Sequence, residues 1–283
     1  MLRMSPETWL LDQLANALLS RGYATVAVDD ATNSAIDETF REATRFFTTG
    51  DAAKASASTP AKLEGYRPLG AEYSASADRV DLNESFAVWL RNSSDPDVRK
   101  WADEMPLHRS MTSLLHPLCA LANATLATLR ERLNPTGQQY QASDISYLQL
   151  NHYQPSAHGR EVLMDPHEDG HLITIAASTA PGLEVWDEGR FQPVLLAPGE
   201  VILWAGSILT AVSGGLIQPL VHRVVKVEGI NHRLSAQFFV NASLDAEQRP
   251  WIENDSNSEV DIRALTILKS ESFGLRAVDK AFS

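Results

Sequence analysis

The chain has 283 residues, of which 44% are hydrophobic and 21% charged, and its formal net charge is −12. This composition suits one globular unit with a large core, and the acidity argues against a nucleic-acid partner, which would need a basic surface. We expect neither a signal peptide nor a membrane span. Glu7 and Asp12 interrupt the apolar N-terminal stretch, and the longest apolar run, residues 201–212, is too short to cross a bilayer.

The N-terminal half shows mainly helical patterns. Ser5, Pro6 and Glu7 form an N-terminal helix signal, apolar residues follow at helical spacing, and Gly22 ends the pattern. The segment YATVAV (23–28) predicts a short strand, and Ile36, Phe40, Ala43 and Phe47 mark one face of a second helix. We expect residues 50–80 to form loops, and residues 95–133 to form helix interrupted at Pro106 and Pro117.

After Pro135 the pattern changes to short β-prone runs separated by turn residues. The runs are ISYLQLNHY, HLITIAAS, LEVWDE, FQPVLL, VILWAG, LVHRVVKV and RLSAQFFVN. Many short strands at this spacing predict a sandwich or barrel rather than βαβ units. A final helix is expected over 258–277. We therefore divide one structural unit into an N-terminal region (1–134), a β core (135–245) and a C-terminal helical segment (246–283).

The segment PHEDGHLITI, residues 166–175, places two histidines and two acids before a β-prone tail. Residues two apart in a strand share a face, so His167 and Asp169 are expected to point to the same side. His222 lies in a later run. Two histidines and one carboxylate on one face of iron(II) leave three positions open, as in non-haem iron oxygenases. The alternative for H-x-D alone is a solvated turn.

A third element favours the metal hypothesis. Arg233 and Ser235 are also two apart in a β-prone run, so they share a face. The arginine fork matches a carboxylate, and a serine hydroxyl adds another hydrogen bond. Such a pair suits the distal carboxylate of a dicarboxylic acid, whereas an exposed arginine on an edge strand is the alternative.

The chain resembles the iron(II)- and 2-oxoglutarate-dependent oxygenases of the isopenicillin N synthase-like group. The segments that carry the resemblance are, in order, HEDGHLIT, GLEVWDEGRFQPV, PGEVILWAG, VHRV and HRLSAQFFVN. LQLNHYQP is similar to the family's Asn-Tyr-Tyr-Pro strand, with His152 replacing the first tyrosine. GYRPLGAEYSASADRVDLNESF resembles its N-terminal Gly-Tyr…Asp-x-x-Glu-x-Phe block. The resemblance covers nearly the whole chain and implies a mainly β fold, a double-stranded β-helix (jelly-roll) core with flanking helices.

By this resemblance, His167, Asp169 and His222 bind iron(II), and Arg233 and Ser235 hold the far carboxylate of 2-oxoglutarate. Tyr153 adds a hydroxyl to that carboxylate, and Asn151 lies near the metal-binding end of the co-substrate. The implied reaction uses O2 and 2-oxoglutarate to oxidise an unactivated C–H bond of a small molecule, and it gives succinate and CO2. Hydroxylation, desaturation and cyclisation all stay open, as do the substrate, the pathway and the oligomeric state.

Two other functions remain open at this point. An oxidase of the same fold, like isopenicillin N synthase, keeps the Arg-x-Ser pair but uses no 2-oxoglutarate. A non-catalytic barrel that binds a metal or small ligand as a sensor is the third possibility.

The lone Cys119, in an apolar helical stretch, predicts a buried thiol and a reducing cytoplasm.

Several further residues carry weaker expectations. The spare histidines are interpreted as polar strand ends, with His171 the best candidate for substrate contact. Arg223 is expected to form a structural ion pair, and Trp186 and Trp204 to lie in the core or barrel wall. A substrate carboxylate would find its partner among the arginines of the upstream loop. The spare histidines are His152, His158, His171 and His232. The upstream loop contains Tyr66, Arg67, Tyr73 and Arg79.

Overall fold

The structure is a computed structural model, and it describes residues 6–59, 64–91, 101–155, 159–244, 248–253 and 260–266. Its N-terminal half contains four helices and three strands in the described residues. They are α1 (Pro6–Arg21), β1 (Tyr23–Ala27), α2 (Asp30–Phe47), α3 (Asp51–Ala55), β2 (Gly65–Arg67), β3 (Asn83–Trp89) and α4 (Pro106–Leu133).

The C-terminal half is mainly β structure. Its elements are β4 (Tyr147–Tyr153), β5 (Val162–His167), β6 (Ile173–Ser178), β7 (Leu183–Asp187), β8 (Arg190–Pro193), β9 (Glu200–Ala205), α5 (Ser207–Val212), β10 (His222–Val225) and β11 (Arg233–Val240). Each predicted run therefore contains a strand. Of the expected final helix, only residues 262–266 are described as helical, and the rest of 258–277 lies mostly outside the described residues.

The helical predictions hold in part. Gly22 follows α1 with a φ of 77°, the left-handed conformation that ends a helix, while Ser5 lies outside the described residues. The interruption expected at Pro106 is confirmed, because the helix that includes residues 101–102 ends before residue 103 and α4 begins at Pro106, whereas the interruption expected at Pro117 is wrong. Pro106 is the first residue of α4, where its missing N–H costs nothing, and α4 continues through Pro117. Packing of the apolar face of α4, which includes Leu114, Leu118 and Leu126, outweighs the lost hydrogen bond.

Two antiparallel sheets form the framework. The larger has seven strands in the order β1-β9-β6-β11-β4-β3-β2, and the smaller has four in the order β5-β10-β7-β8. A pocket lies between them, because its lining includes Asn151 and Gln237 of the large sheet and Met164 and His222 of the small sheet. The helices α1, α2 and α4 pack on the other side of the large sheet around one hydrophobic cluster.

Residues before position 135 contribute strands to the large sheet. The strand β1 pairs with β9 at one edge, and β2 and β3 extend the sheet beyond β4 at the other. The loop expected over 50–80 is thus wrong in part, because α3 and β2 lie within it. The motif DLNESF is itself mostly the buried strand β3. The division at 134/135 crosses a continuous sheet, and the three segments stay a prediction about one structural unit.

Other expectations can be compared directly. Trp204 is buried, whereas Trp186, on β7 of the small sheet, is 48% exposed, so it lies in the barrel wall and not in the core. Arg223 pairs with Glu184 at 2.7 Å, as expected. Cys119 is only partly buried, and burial raises the pKa of its thiol. None of the helices in the described part of the chain has the length and hydropathy that a membrane-spanning segment needs.

A buried ionic cluster around Glu84 of β3 joins the helical layer to the large sheet. Its Oε2 accepts hydrogen bonds from Lys54 Nζ of α3 at 2.6 Å and from the Tyr66 hydroxyl of β2 at 2.7 Å. Its Oε1 lies 2.9 Å from His152 Nδ1 of β4. Burial alone would raise the pKa of Glu84, but these hydrogen bonds outweigh it and lower the pKa to about 2.

We expect Glu84→Gln to destabilise the fold at neutral pH. The folded-state pKa lies below the ordinary 4.5, so the carboxylate stabilises the fold above that value and loses the effect as pH falls towards 2. Removing one partner of a buried ionic cluster costs about 3 kcal/mol. Denaturant unfolding at pH 7 and pH 4 should show a smaller gap between variant and wild type at pH 4.

The matched control is Glu38→Gln, because Glu38 forms an exposed ion pair with Arg41 on α2. Exposed pairs contribute about 0–1 kcal/mol, so this variant should unfold almost as the wild type does. An equal loss in both variants, or a gap for Glu84→Gln that does not change with pH, would contradict the role given to the cluster.

Candidate metal centre and co-substrate site

Three side chains predicted from the sequence meet between the two sheets. His167 is the last residue of β5, His222 is the first of β10, and the two are direct register partners. Their Nε2 atoms lie 3.6 Å and 3.8 Å from Asp169 Oδ1. One ligand atom from each residue lies within 4.8 Å of the others. This is the donor set of a metal centre with one carboxylate and two imidazoles.

The backbone orients both imidazoles in the same way. His167 Nδ1 donates to the carbonyl of Asp165 at 2.8 Å, and His222 Nδ1 donates to that of Leu220 at 3.2 Å. Each bond leaves Nε2 as the lone-pair atom that faces Asp169. Burial, and then the neighbouring His222 ring, lowers the pKa of His167 to about 4. His167 is therefore neutral at pH 7, as a metal-binding imidazole must be.

Asp169 is held by two donors on the oxygen that faces away from the histidines. Its Oδ2 accepts hydrogen bonds from Thr174 Oγ1 at 2.5 Å and Trp204 Nε1 at 2.8 Å. Burial raises the pKa of Asp169, but the imidazoles of His222 and His167 outweigh this effect and lower it below its usual value. The side chain is thus ionised, and Oδ1 is presented to the same point as the two Nε2 atoms.

The local structure that brings Asp169 close to the two histidines differs from the one expected. The strand ends at His167, and Asp169 lies in the following loop, so strand alternation does not place it. Ser207 N donates to the carbonyl of Asp169 at 2.9 Å and holds the loop. A Cβ on Gly206 would lie 2.1 Å from the carbonyl oxygen of His171, so only glycine allows this close approach.

A second group of buried polar atoms lies on the large sheet. Arg233 is 3% exposed and Ser235 is 2% exposed, and they share one face of β11. Arg233 Nε donates to the carbonyl of Ala180 at 3.2 Å, while Arg233 Nη1 and Ser235 Oγ have no hydrogen-bond partner among the described residues. Arg233 forms no ion pair within the same residues. A buried guanidinium without an anion is costly, so the pair fits a carboxylate ligand.

The two remaining predicted residues flank this pair on β4. Tyr153 is the register partner of Arg233, and the guanidinium lies 5.4 Å from its ring centroid. Its hydroxyl donates to Met164 Sδ at 3.7 Å, and burial raises its pKa. Asn151 is the partner of Ser235, and its Nδ2 donates to Gln237 Oε1 at 2.7 Å. Asn151 and Met164 both line the pocket that contains the three metal-type ligands.

The structure also places the other candidates. His171 lines the pocket, with Nδ1 2.9 Å from Asn241 Oδ1. His152 is on the opposite side of the sheet in the Glu84 cluster and stacks on His232, and neither lines this pocket. His158 lies outside the described residues. Two acidic residues that the sequence reasoning did not select, Asp81 and Glu72, also line the pocket. The only feature of the sequence that could have indicated them is their position in the segment GYRPLGAEYSASADRVDLNESF.

Comparison with known proteins gives two family matches. The 2OG-Fe(II) oxygenase superfamily matches residues 145–242. The N-terminal region of non-haem dioxygenases in morphine synthesis matches residues 4–108. Together these matches span most of the chain and include every residue predicted for the metal and the co-substrate.

Among similar proteins, the gibberellin 2-beta-dioxygenase 7 of Arabidopsis thaliana is 26% identical over 174 residues, which are 60% of this chain and 50% of the relative. The 2-oxoglutarate-dependent dioxygenase FG08081 of Gibberella zeae is 26% identical over 219 residues, or 71% of this chain and 64% of the relative. The chain thus spans about half to two thirds of the length of these relatives.

Solved structures show the same fold. A full-length Neurospora crassa protein, crystallised in complex with alpha-KG and 5-formyluracil, gives a TM-score of 0.74 at 16% identity, covering 95% of this chain and 91% of the other. The rice dioxygenase for auxin oxidation gives 0.72 at 19% identity, covering 95% and 93%. The predicted jelly-roll core with flanking helices is confirmed.

The fold and the His-Asp-His cluster define a jelly-roll protein with the donor set of a non-haem iron oxygenase. The chain belongs to the iron(II)- and 2-oxoglutarate-dependent oxygenase superfamily. Iron(II), 2-oxoglutarate and O2 are the cofactors and co-substrates of that family, as the sequence predicted.

Proposed function

We propose that the protein is an oxygenase that uses iron(II), 2-oxoglutarate and O2 to oxidise an unactivated C–H bond of a small molecule. The observation that carries the proposal is a buried arginine, Arg233, which has no anionic partner in the described part of the chain and lies in the same barrel as three converging metal-type ligands. A bound dicarboxylate would satisfy the arginine and reach the metal from the same side of the sheet.

The proposed roles follow from these placements. His167, Asp169 and His222 would hold iron(II), and Arg233 with Ser235 would hold the far carboxylate of 2-oxoglutarate. Tyr153 would turn its hydroxyl from Met164 to that carboxylate, and Asn151 would lie near the metal-binding end.

When bound, iron(II) and 2-oxoglutarate supply the oxidising power, with succinate and CO2 as products. The side chains of the protein would hold iron(II) and 2-oxoglutarate in place and limit the access of water to them. Asp169, His222, Arg233 and Ser235 are each at most 3% exposed. Buried side chains of this kind help to orient one substrate bond and to limit side reactions.

The substrate class is proposed as a free small molecule. The names of the similar proteins refer to gibberellin, auxin and 5-formyluracil, which are all small molecules. Whether the product is a hydroxylated, desaturated or cyclised compound is left to experiment. A reducing cytoplasm fits both iron(II) and the lone cysteine, and this location stays a prediction.

The test is product stoichiometry. The protein is first loaded with iron(II) and 2-oxoglutarate in the absence of oxygen. It is then exposed to O2, and the succinate formed and the O2 consumed are measured together. We expect about one succinate per O2, and no oxygen uptake when 2-oxoglutarate is omitted. Oxygen uptake that needs a substrate but no 2-oxoglutarate would favour the isopenicillin N synthase-like alternative. Iron binding without any oxygen uptake would favour a sensor.

The hydrogen bonds to Asp169 give a further prediction. Trp204→Phe keeps an aromatic ring but removes the Nε1–H that holds Oδ2. Loss of such a supporting bond lowers metal affinity by about 10–100-fold. Competition for iron(II) with a chelator should show this loss, whereas Trp186→Phe, at an exposed ring, should bind iron as the wild type does. Equal affinity in all three proteins would contradict a positioning role for Trp204.

A further inference from the structure

The pocket that contains the three metal-type ligands is lined by acidic and neutral side chains in addition to its histidines. Among the described residues that line it there is no lysine and no arginine. Apart from the histidines and Asp169, its walls carry two further carboxylates and a set of neutral side chains. These residues are Glu72 and Asp81, with Ser74, Tyr147, Gln149, Asn151, Met164, Gln237 and Phe239.

The first carboxylate, Glu72, is already neutralised. Arg67 Nη1 lies 2.5 Å from Glu72 Oε1 and 2.7 Å from Gln149 Oε1, and Arg67 is only 1% exposed. The arginine that the sequence offered to a substrate carboxylate is therefore occupied within the wall. Arg79, the other candidate, is paired with Asp165 at 2.8 Å.

The second carboxylate, Asp81, has no ion-pair partner among the described residues. It is 2% exposed, and its Oδ2 accepts a hydrogen bond from Ser74 Oγ at 2.7 Å. No donor reaches its Oδ1 within the described part of the chain, and it forms no ion pair there. Asp81 lines the pocket, and a buried carboxylate oxygen without a donor is unfavourable unless a ligand supplies the donor.

Aromatic rings form another part of the same wall. The rings of Tyr147 and Phe239 are 4.8 Å apart, and that of His171 is 4.7 Å from Phe239. Tyrosine and phenylalanine faces attract a cationic nitrogen, and flat apolar groups also pack on them. The wall therefore accepts an apolar body or a cation, while its described residues offer an anion no lysine or arginine.

We propose that the substrate carries a protonated amino group and that Asp81 receives it, whereas substrates that carry only a carboxylate are disfavoured. This inference rests on the proposed function, because the pocket is that of the proposed iron centre. Asp81 is then a specificity-determining residue for a cationic small molecule. The 2-oxoglutarate carboxylates do not compete for this position, since their proposed partners are iron(II) and Arg233.

The test uses pairs of compounds with one core and opposite charge. Tryptamine is compared with indole-3-acetate, phenethylamine with phenylacetate, and hexylamine with hexanoate. Binding to the anaerobic iron(II)–2-oxoglutarate protein is measured by the change in its visible absorption and by calorimetry. We expect at least one amine to bind 10-fold or more tightly than its carboxylate partner. In Asp81→Asn this ratio should fall to near one.

The ratio separates charge recognition from a structural defect, because a damaged pocket would weaken both members of a pair. Asp78→Asn is the control: it removes an exposed charge from the same upstream segment, and Asp78 is not among the pocket residues, so the ratio should persist. Carboxylates that bind as well as the amines, an unchanged ratio in Asp81→Asn, or no binding by any amine would overturn the inference. Failure of the wild type to bind iron or 2-oxoglutarate would instead overturn the proposed function.

Discussion

His222→Ala is expected to abolish stoichiometric iron(II) binding and all 2-oxoglutarate turnover. His222 offers Nε2 within 3.8 Å of Asp169 Oδ1, so its replacement by alanine removes one of the three proposed ligands. Loss of a direct ligand should exceed the roughly 10–100-fold loss that follows removal of a supporting hydrogen bond. Metal analysis after anaerobic gel filtration measures the bound iron directly.

The control is His116→Ala, because His116 is exposed on α4 far from the pocket lining. It should retain one iron per chain. Circular dichroism of His222→Ala is compared with that of the wild type to show that the variant keeps its fold. Full iron occupancy in a folded His222→Ala protein would contradict its assignment as a ligand.

Arg233→Ala is expected to raise the 2-oxoglutarate requirement while iron binding persists. Loss of a buried, hydrogen-bonded charge partner costs about 2–5 kcal/mol, which is roughly a 30- to 5000-fold weaker binding of the co-substrate. Arg233→Lys keeps the charge but loses the two-pronged geometry, so it should fall between the wild type and the alanine variant. Titration of 2-oxoglutarate into the anaerobic iron protein gives the three dissociation constants.

The unliganded protein offers an independent readout of the same variant. Arg233 Nη1 is buried without a partner among the described residues. Loss of a structural ion pair lowers the free energy of unfolding, but Arg233→Ala breaks no such pair, so we expect it to leave that free energy unchanged. Arg223→Ala is the structural comparison, because Arg223 pairs with Glu184. If Arg233→Ala bound 2-oxoglutarate normally, the isopenicillin N synthase-like alternative would gain support.

Much of this architecture was readable from local patterns. The β-prone runs after Pro135 each contain a strand, because alternation and turn residues act over a few positions. The convergence of His167 and His222 was predictable from a set of motifs in a fixed order, not from either motif alone. Arg233 and Ser235 share a face because β11 is regular over eight residues.

The remainder depends on long-range packing that local patterns do not encode. Asp169 reaches the centre from a loop held by Ser207 and Gly206, so strand alternation gave an incorrect reason for its position. Pro117 stays inside α4 because the helix packs on the sheet. Asp81 is 86 residues from His167 along the chain and becomes a pocket residue only when β3 joins β4.

The most direct test of the central claim is an anaerobic titration of the wild-type protein, first with iron(II) and then with 2-oxoglutarate. The account predicts one iron per chain and a visible charge-transfer band that appears only when both are present. Saturation at one 2-oxoglutarate per iron should follow. Iron binding with no band and no measurable affinity for 2-oxoglutarate would contradict the assignment of His167, Asp169, His222 and Arg233 to one shared site.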